Sequence, residues 1–248
     1  YLDMMSGYSA VSHGHAHPKL LEAFHEQSSR LSLTSRAFYT DTLGPYLETI
    51  TKLSNFDMAL PMNSGAEAVE TSIKASRRWA YRTKNVESNK AEIIVADGNF
   101  HGRTTTIISF SSDSNSKDDF GPHTPGFVSV EYGSSEAIEK AINKNTAAVL
   151  IEPIQGEGGI IVPPENYLPE VREICTKHNV LMIMDEIQSG LGRTGKMFAF
   201  QHSNIQPDGL ILGKALGGGF MPVSCFLSSK EVMQWMNPGS HGSTFGGN

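Results

Sequence analysis

Short apolar runs alternate with longer stretches whose apolar residues recur every three or four positions, a pattern that predicts strands interleaved with helices. The strand runs fall at Glu92–Ala96, Phe127–Glu131, Ala147–Glu152, Val180–Asp185, Gly209–Gly213 and Val223–Leu227. Several are apolar at almost every position, as strands covered on both faces should be. Helical periodicity marks Pro18–Arg30, Asp41–Leu53, Gly65–Thr83, Ser135–Asn143, Pro164–His178 and Lys230–Met236. Pro18 and Pro164 suit the first turn of a helix, where the missing N–H costs nothing. The order predicts an α/β fold, a mostly parallel sheet with helices on both faces. Residues 109–125, rich in Ser, Asp, Gly and Pro, read as a long surface loop and a candidate lid. Without repeats or a linker, residues 1–248 read as one domain.

Composition narrows the function. The 248 residues carry a net charge of -6 with no basic run, which speaks against nucleic acid and anionic membranes as partners. No apolar stretch approaches a membrane span. Cys175 and Cys225 lie far apart, which argues for a reducing compartment and against a disulfide framework or a structural zinc site. The expected setting is cytoplasmic, or the mitochondrial matrix if a presequence precedes Tyr1. Both ends of the chain read as cut.

The chemistry gathers where strands end, the place at which open α/β sheets bind ligands. Leu181-Met182-Ile183-Met184 runs into Asp185-Glu186, with Gln188 close behind. Leu210-Ile211-Leu212-Gly213 runs into Lys214. Asn63-Ser64-Gly65-Ala66 opens a long helix. An amine, a carboxylate and a helix N-terminus at neighbouring strand ends are what pyridoxal phosphate requires: a covalent anchor, a partner for the pyridine nitrogen and N–H donors for phosphate. Each element alone has a plainer reading, as a solvated strand end, a turn or an N-cap.

Longer motifs tie these elements together. Met184-Asp185-Glu186-Ile187-Gln188-Ser189-Gly190-Leu191-Gly192-Arg193-Thr194-Gly195, followed by Gly213-Lys214-Ala215-Leu216-Gly217-Gly218-Gly219, resembles the signature of class III aminotransferases. Asn99–Arg103, Glu152–Glu157 and His241–Asn248 are similar to further blocks of that family. Within it, Ser35-Arg36-Ala37-Phe38-Tyr39, Tyr8-Ser9-Ala10-Val11 and Pro222-Val223-Ser224 look most like the ornithine aminotransferase branch.

The resemblance implies the large, cofactor-binding domain of a type I pyridoxal-phosphate transferase. It implies that Lys214 anchors the cofactor and then moves the proton, that Asp185 meets the pyridine nitrogen, and that Gln188 meets the ring hydroxyl. Phe100 would stack on the ring, and Ser64, Gly65 and Ala66 would receive the phosphate. Ser243 and Thr244 would serve the cofactor of a second subunit in a homodimer. Tyr8, Arg103, Glu152 and Glu157 would face amino-acid and 2-oxo-acid substrates, with Arg103 clamping a carboxylate. Family members extend past both ends, with a further tyrosine before and a small domain carrying an arginine after.

Rival readings remain at this point. Gly190-Leu191-Gly192-Arg193-Thr194-Gly195 matches G-x-G-x-x-G, the mark of a nicotinamide-dependent oxidoreductase, but Asp185–Ser189 separates it from the strand and no helix pattern follows. His13, His15 and His17 alternate and could hold a metal, although Gly14 and Pro18 favour a turn entering a helix; no metal is expected. Acetylornithine and 4-aminobutyrate aminotransferases share most of the blocks.

Overall fold

The computed structural model describes residues 1–247. Seven strands form one sheet: β1 (Met58–Met62), β2 (Glu92–Ala96), β3 (Phe127–Val130), β4 (Thr146–Ile151), β5 (Leu181–Asp185), β6 (Gly209–Leu212) and β7 (Ser224–Ser228). Their order across the sheet is β1-β7-β6-β5-β4-β2-β3. The pairs from β3 to β6 are parallel, and β7 runs antiparallel to both β6 and β1. Six strands therefore point the same way.

The sheet explains why its strands are apolar throughout. Ile93, Val95, Leu150, Ile183, Ile211 and Phe226 pack on one side with Val69, Ile73 and Trp79 of the Gly65–Arg82 helix. The alternate residues, Ile94, Val149, Ile151, Met182, Met184 and Leu227, pack on the other with Ile138, Tyr167, Val171 and Cys175. Both faces are covered, so neither side-chain parity can be polar. The second face belongs to the Leu43–Ser54, Ser135–Ala141 and Tyr167–Lys177 helices.

Two expectations change. Met58–Met62 was not anticipated as a strand; it is an edge strand, where Pro61 removes no ladder bond that a central strand would need. The 109–125 stretch contains a helical turn at Ser114–Lys117 and is tied down, with the Thr124 N–H on Ser109 Oγ (2.8 Å) and the Gly98 N–H on Ser112 Oγ (2.9 Å). None of it lines the central cavity described next.

Candidate active site

The carboxyl ends of β1, β2, β4, β5 and β6 share one rim, and a cavity of about 180 Å³ opens there. Gly65, Ala66, Phe100, Glu152, Asp185, Gln188 and Lys214 are among its lining residues, along with His101. Seven of the sequence-predicted residues thus converge from five strand ends and the turns that follow them.

Asp185 is the last residue of β5 and is buried, 4% exposed. One carboxylate oxygen accepts from the Ile187 N–H (3.0 Å) and the other from His101 Nδ1 (2.7 Å). Burial alone would lower the His101 imidazole; the Asp185 hydrogen bond and the charges of Asp185 and Glu152 overcome it and hold the ring above its ordinary value. His101 is a component that reading the sequence missed. A single loop histidine leaves no periodic signal, and only the sheet brings the end of β2 near the end of β5.

Glu152 follows β4 and accepts from the N–H groups of Phe100 (3.1 Å) and Gly156 (3.4 Å). Burial pushes its carboxyl up to about 7, Asp185 adds to the rise, and His101 opposes it. Glu186, paired with Asp185 in sequence, points elsewhere. It accepts from the Ala199 and Phe200 N–H groups, both at 2.7 Å, and so fastens the 3-10 turn Ala199–Ser203.

Lys214 comes two residues after β6 with φ 46°, a left-handed backbone that non-glycine residues seldom adopt outside functional sites. Burial lowers its ammonium below the ordinary value, while Glu157, Asp185 and Glu152 pull the other way. The lowering favours the neutral amine, the form in which a lysine can act as nucleophile or base.

Ser64 caps the Gly65–Arg82 helix: its Oγ accepts from the Glu67 N–H (3.2 Å), and the Glu67 carboxylate accepts from the Ser64 N–H (2.6 Å). The cavity lies against the start of this helix, which favours an anion. Gly102, at φ 123°, lets the Phe100 loop approach it; a Cβ there would sit 2.8 Å from the Ala66 Cβ. Gly156 is equally constrained, since its Cβ would fall 1.4 Å from Gln188 Oε1. Gln188 Nε2 donates to Glu157 Oε1 at 3.2 Å.

The remaining residues lie further out. Tyr8 lines an adjoining cavity of about 450 Å³ together with Gln188, Ser189 and Arg193. Arg103 does not line either cavity; its guanidinium lies 5.3 Å from the centre of the Phe100 ring. Ser243 accepts from Asn63 Nδ2 at 2.6 Å, beside the Ser64 cap, and Thr244 follows it. Asn248, the end of the His241–Asn248 block, lies outside the described residues. The rival sites do not assemble. Residues 190–195 form turns that lead to the short 3-10 turn Ala199–Ser203, with no helix for a dinucleotide pyrophosphate. His15 pairs with Asp3 while His13 packs near Gly218 and Gly219, and no metal-holding cluster of His, Cys, Asp and Glu occurs among the described residues.

The chain belongs to the class III aminotransferases, whose family model matches residues 1–248. It is 57% identical, over all of its length, to the ornithine aminotransferase of Oceanobacillus iheyensis, and 58% identical to ornithine aminotransferase 2 of Staphylococcus aureus MRSA252. Among solved structures it superposes on ornithine aminotransferase from Toxoplasma gondii ME49 with a TM-score of 0.99 at 44% identity. Acetylornithine aminotransferase from Elizabethkingia anophelis gives 0.88 at 49% identity. All of this chain is matched in each, but it spans 62% and 63% of the two relatives and 59% of each structure.

Proposed function

We propose that the protein is a pyridoxal-phosphate-dependent ornithine aminotransferase, moving the terminal amino group of L-ornithine to 2-oxoglutarate to give glutamate semialdehyde and glutamate. The observation that carries this reading is the meeting of Lys214 and Asp185 at one cavity beside a helix N-terminus. That donor set fits the cofactor: a partly desolvated amine, a buried carboxylate held by a buried imidazole, an aromatic ring and the helix start at Gly65 and Ala66. Bound there, pyridoxal phosphate supplies an aldehyde that exchanges oxygen for an amino group and a ring that draws electrons from the reacting carbon.

Lys214 would be the covalent anchor and the base that carries the proton from the substrate carbon. Asp185, oriented by His101, would pair with the pyridine nitrogen. Phe100 would pack against the ring, Gln188 would meet the ring hydroxyl, and Ser64, Gly65 and Ala66 would hold the phosphate. Tyr8, Glu152 and Glu157 would face the amino donor, and Arg103 would take its carboxylate. Exposed apolar side chains at Phe38, Met221 and Phe245 support a homodimer in which Ser243 and Thr244 serve the second site. Two buried free thiols suit a reducing cytoplasmic setting.

Ornithine is preferred to acetylornithine and 4-aminobutyrate because the relatives cited at 57% and 58% identity are ornithine aminotransferases. The test is an absorption spectrum of the protein loaded with pyridoxal phosphate. A visible band that ornithine bleaches and 2-oxoglutarate restores is expected, and Lys214→Ala should abolish that cycle. Bleaching by 4-aminobutyrate but not by ornithine would reassign the donor; retained turnover in Lys214→Ala would sink the role of Lys214.

A further inference from the structure

His241 joins two parts of the chain that lie far apart in sequence. Its Nε2 sits 2.7 Å from Thr71 Oγ1 and its Nδ1 2.9 Å from Lys74 Nζ, while Lys74 Nζ also donates to the Ser240 carbonyl (3.2 Å). The partners fix the tautomer. Thr71 spends its hydroxyl proton on the Glu67 carbonyl (2.7 Å), so it must accept from His241 Nε2–H. An ammonium can only donate, so Nδ1 must be the bare acceptor. The imidazole in this arrangement is neutral, and adding a proton at Nδ1 would remove the acceptor and set two cations 2.9 Å apart.

The same helix face leads straight to the proposed phosphate site. Glu67, Thr71 and Lys74 follow one another at i, i+4 and i+7. The Glu67 carboxylate accepts from the Asn63 N–H, the Asn63 side-chain amide and the Ser64 N–H, and that amide also donates to Ser243 Oγ. The 240–244 loop is thus fastened at two points, His241 on the helix body and Ser243 on its cap.

We propose that His241 is a proton-sensitive latch: neutral, it fastens the loop that carries Ser243 and Thr244 against the Gly65–Arg82 helix, and protonated it lets that loop go. Three charged groups face the ring: Lys74 on the helix, Arg36 from the 31–42 loop, whose guanidinium also approaches Gly242, and Glu67. Burial, then Lys74 and Arg36, lower the pKa of the imidazole, and Glu67 opposes them. With a lowered value in the folded protein, the latch is fully closed above the ordinary histidine range and opens as pH falls below it. Its consequence for cofactor binding rests on the aminotransferase reading above, whereas the latch does not.

The test is backbone hydrogen exchange in residues 240–247 of the ligand-free protein between about pH 5 and pH 8, corrected for intrinsic rates. Protection in the wild type should fall roughly three- to tenfold on acidification, the effect of losing one net hydrogen bond. His241→Gln, which keeps a donor for Thr71 and cannot titrate, should show a flat profile. Lys74→Met, which removes the opposing cation, should show a shallower one. Wild-type protection that ignores pH, or an unchanged slope in His241→Gln, overturns the latch; should that variant not fold, an unchanged slope in Lys74→Met does so. Affinity for pyridoxal phosphate relative to pyridoxal, over the same pH range, then separates the two readings. The phosphate's own titration is common to all variants, so a difference between wild type and His241→Gln belongs to the loop. A latch that opens without such a difference upholds the inference and counts against the phosphate role of Ser243 and Thr244.

Discussion

Asp185 is held by two donors, and only one comes from its own stretch of chain. The Ile187 N–H is local; His101 arrives from beyond β2, across β4. His101→Gln should leave the cavity in place but remove the imidazole bonded to a buried carboxylate, weakening pyridoxal phosphate binding roughly ten- to hundredfold. Equilibrium titration of the cofactor measures this, and affinity within twofold of wild type would show that Asp185 needs no such support. Lys214 and Asp185 were legible in the sequence because each directly follows an apolar run that only a buried strand explains. His101 was not, because its meaning depends on which strands are neighbours. Glu186 neighbours Asp185 in sequence only: at the strand end consecutive side chains point to opposite sides, and Glu186 holds the Ala199–Ser203 turn.

Elements meet closely where the Phe100 loop passes the start of the Gly65–Arg82 helix. Gly102→Ala would place a methyl group 2.8 Å from the Ala66 Cβ and 3.3 Å from its Cα, on a backbone with φ 123°. The expected loss is about 1–3 kcal/mol, read as a lower urea midpoint with an unchanged slope. Wild-type stability would mean that the two elements can part without penalty. The helix itself was predicted almost to the residue, since its cap and amphipathic face are local features. β1 was not: it is short, holds Pro61, and acquires its identity only by pairing with β7, more than 160 residues away.

For the molecule as a whole, two buried carboxyls make stability depend on pH. Glu152 and Glu186 are both pushed up to about 7, chiefly by burial, from an ordinary value of 4.5. Between these values the folded chain holds more protons than the unfolded one, so their contribution falls as pH rises through that window. Urea midpoints of the cofactor-free protein at about pH 5 and pH 7.5 should show this decline, and Glu186→Gln should flatten it. Equal declines in both proteins would remove Glu186 from the account. The layered α/β architecture was legible because strands and helices differ in period, whereas the direction of β7 was not, since an apolar run reads the same both ways.

That reversed strand has a wider consequence. The start of β7 pairs with the ends of both β1 and β6, and Ser224 Oγ donates to the Ser64 carbonyl at 2.6 Å. One short segment therefore braces both the turn that carries Lys214 and the helix cap. A change in that segment would reach the Lys214 amine and the Ser64 cap together, so the two ends of the cavity tolerate or fail it as a unit.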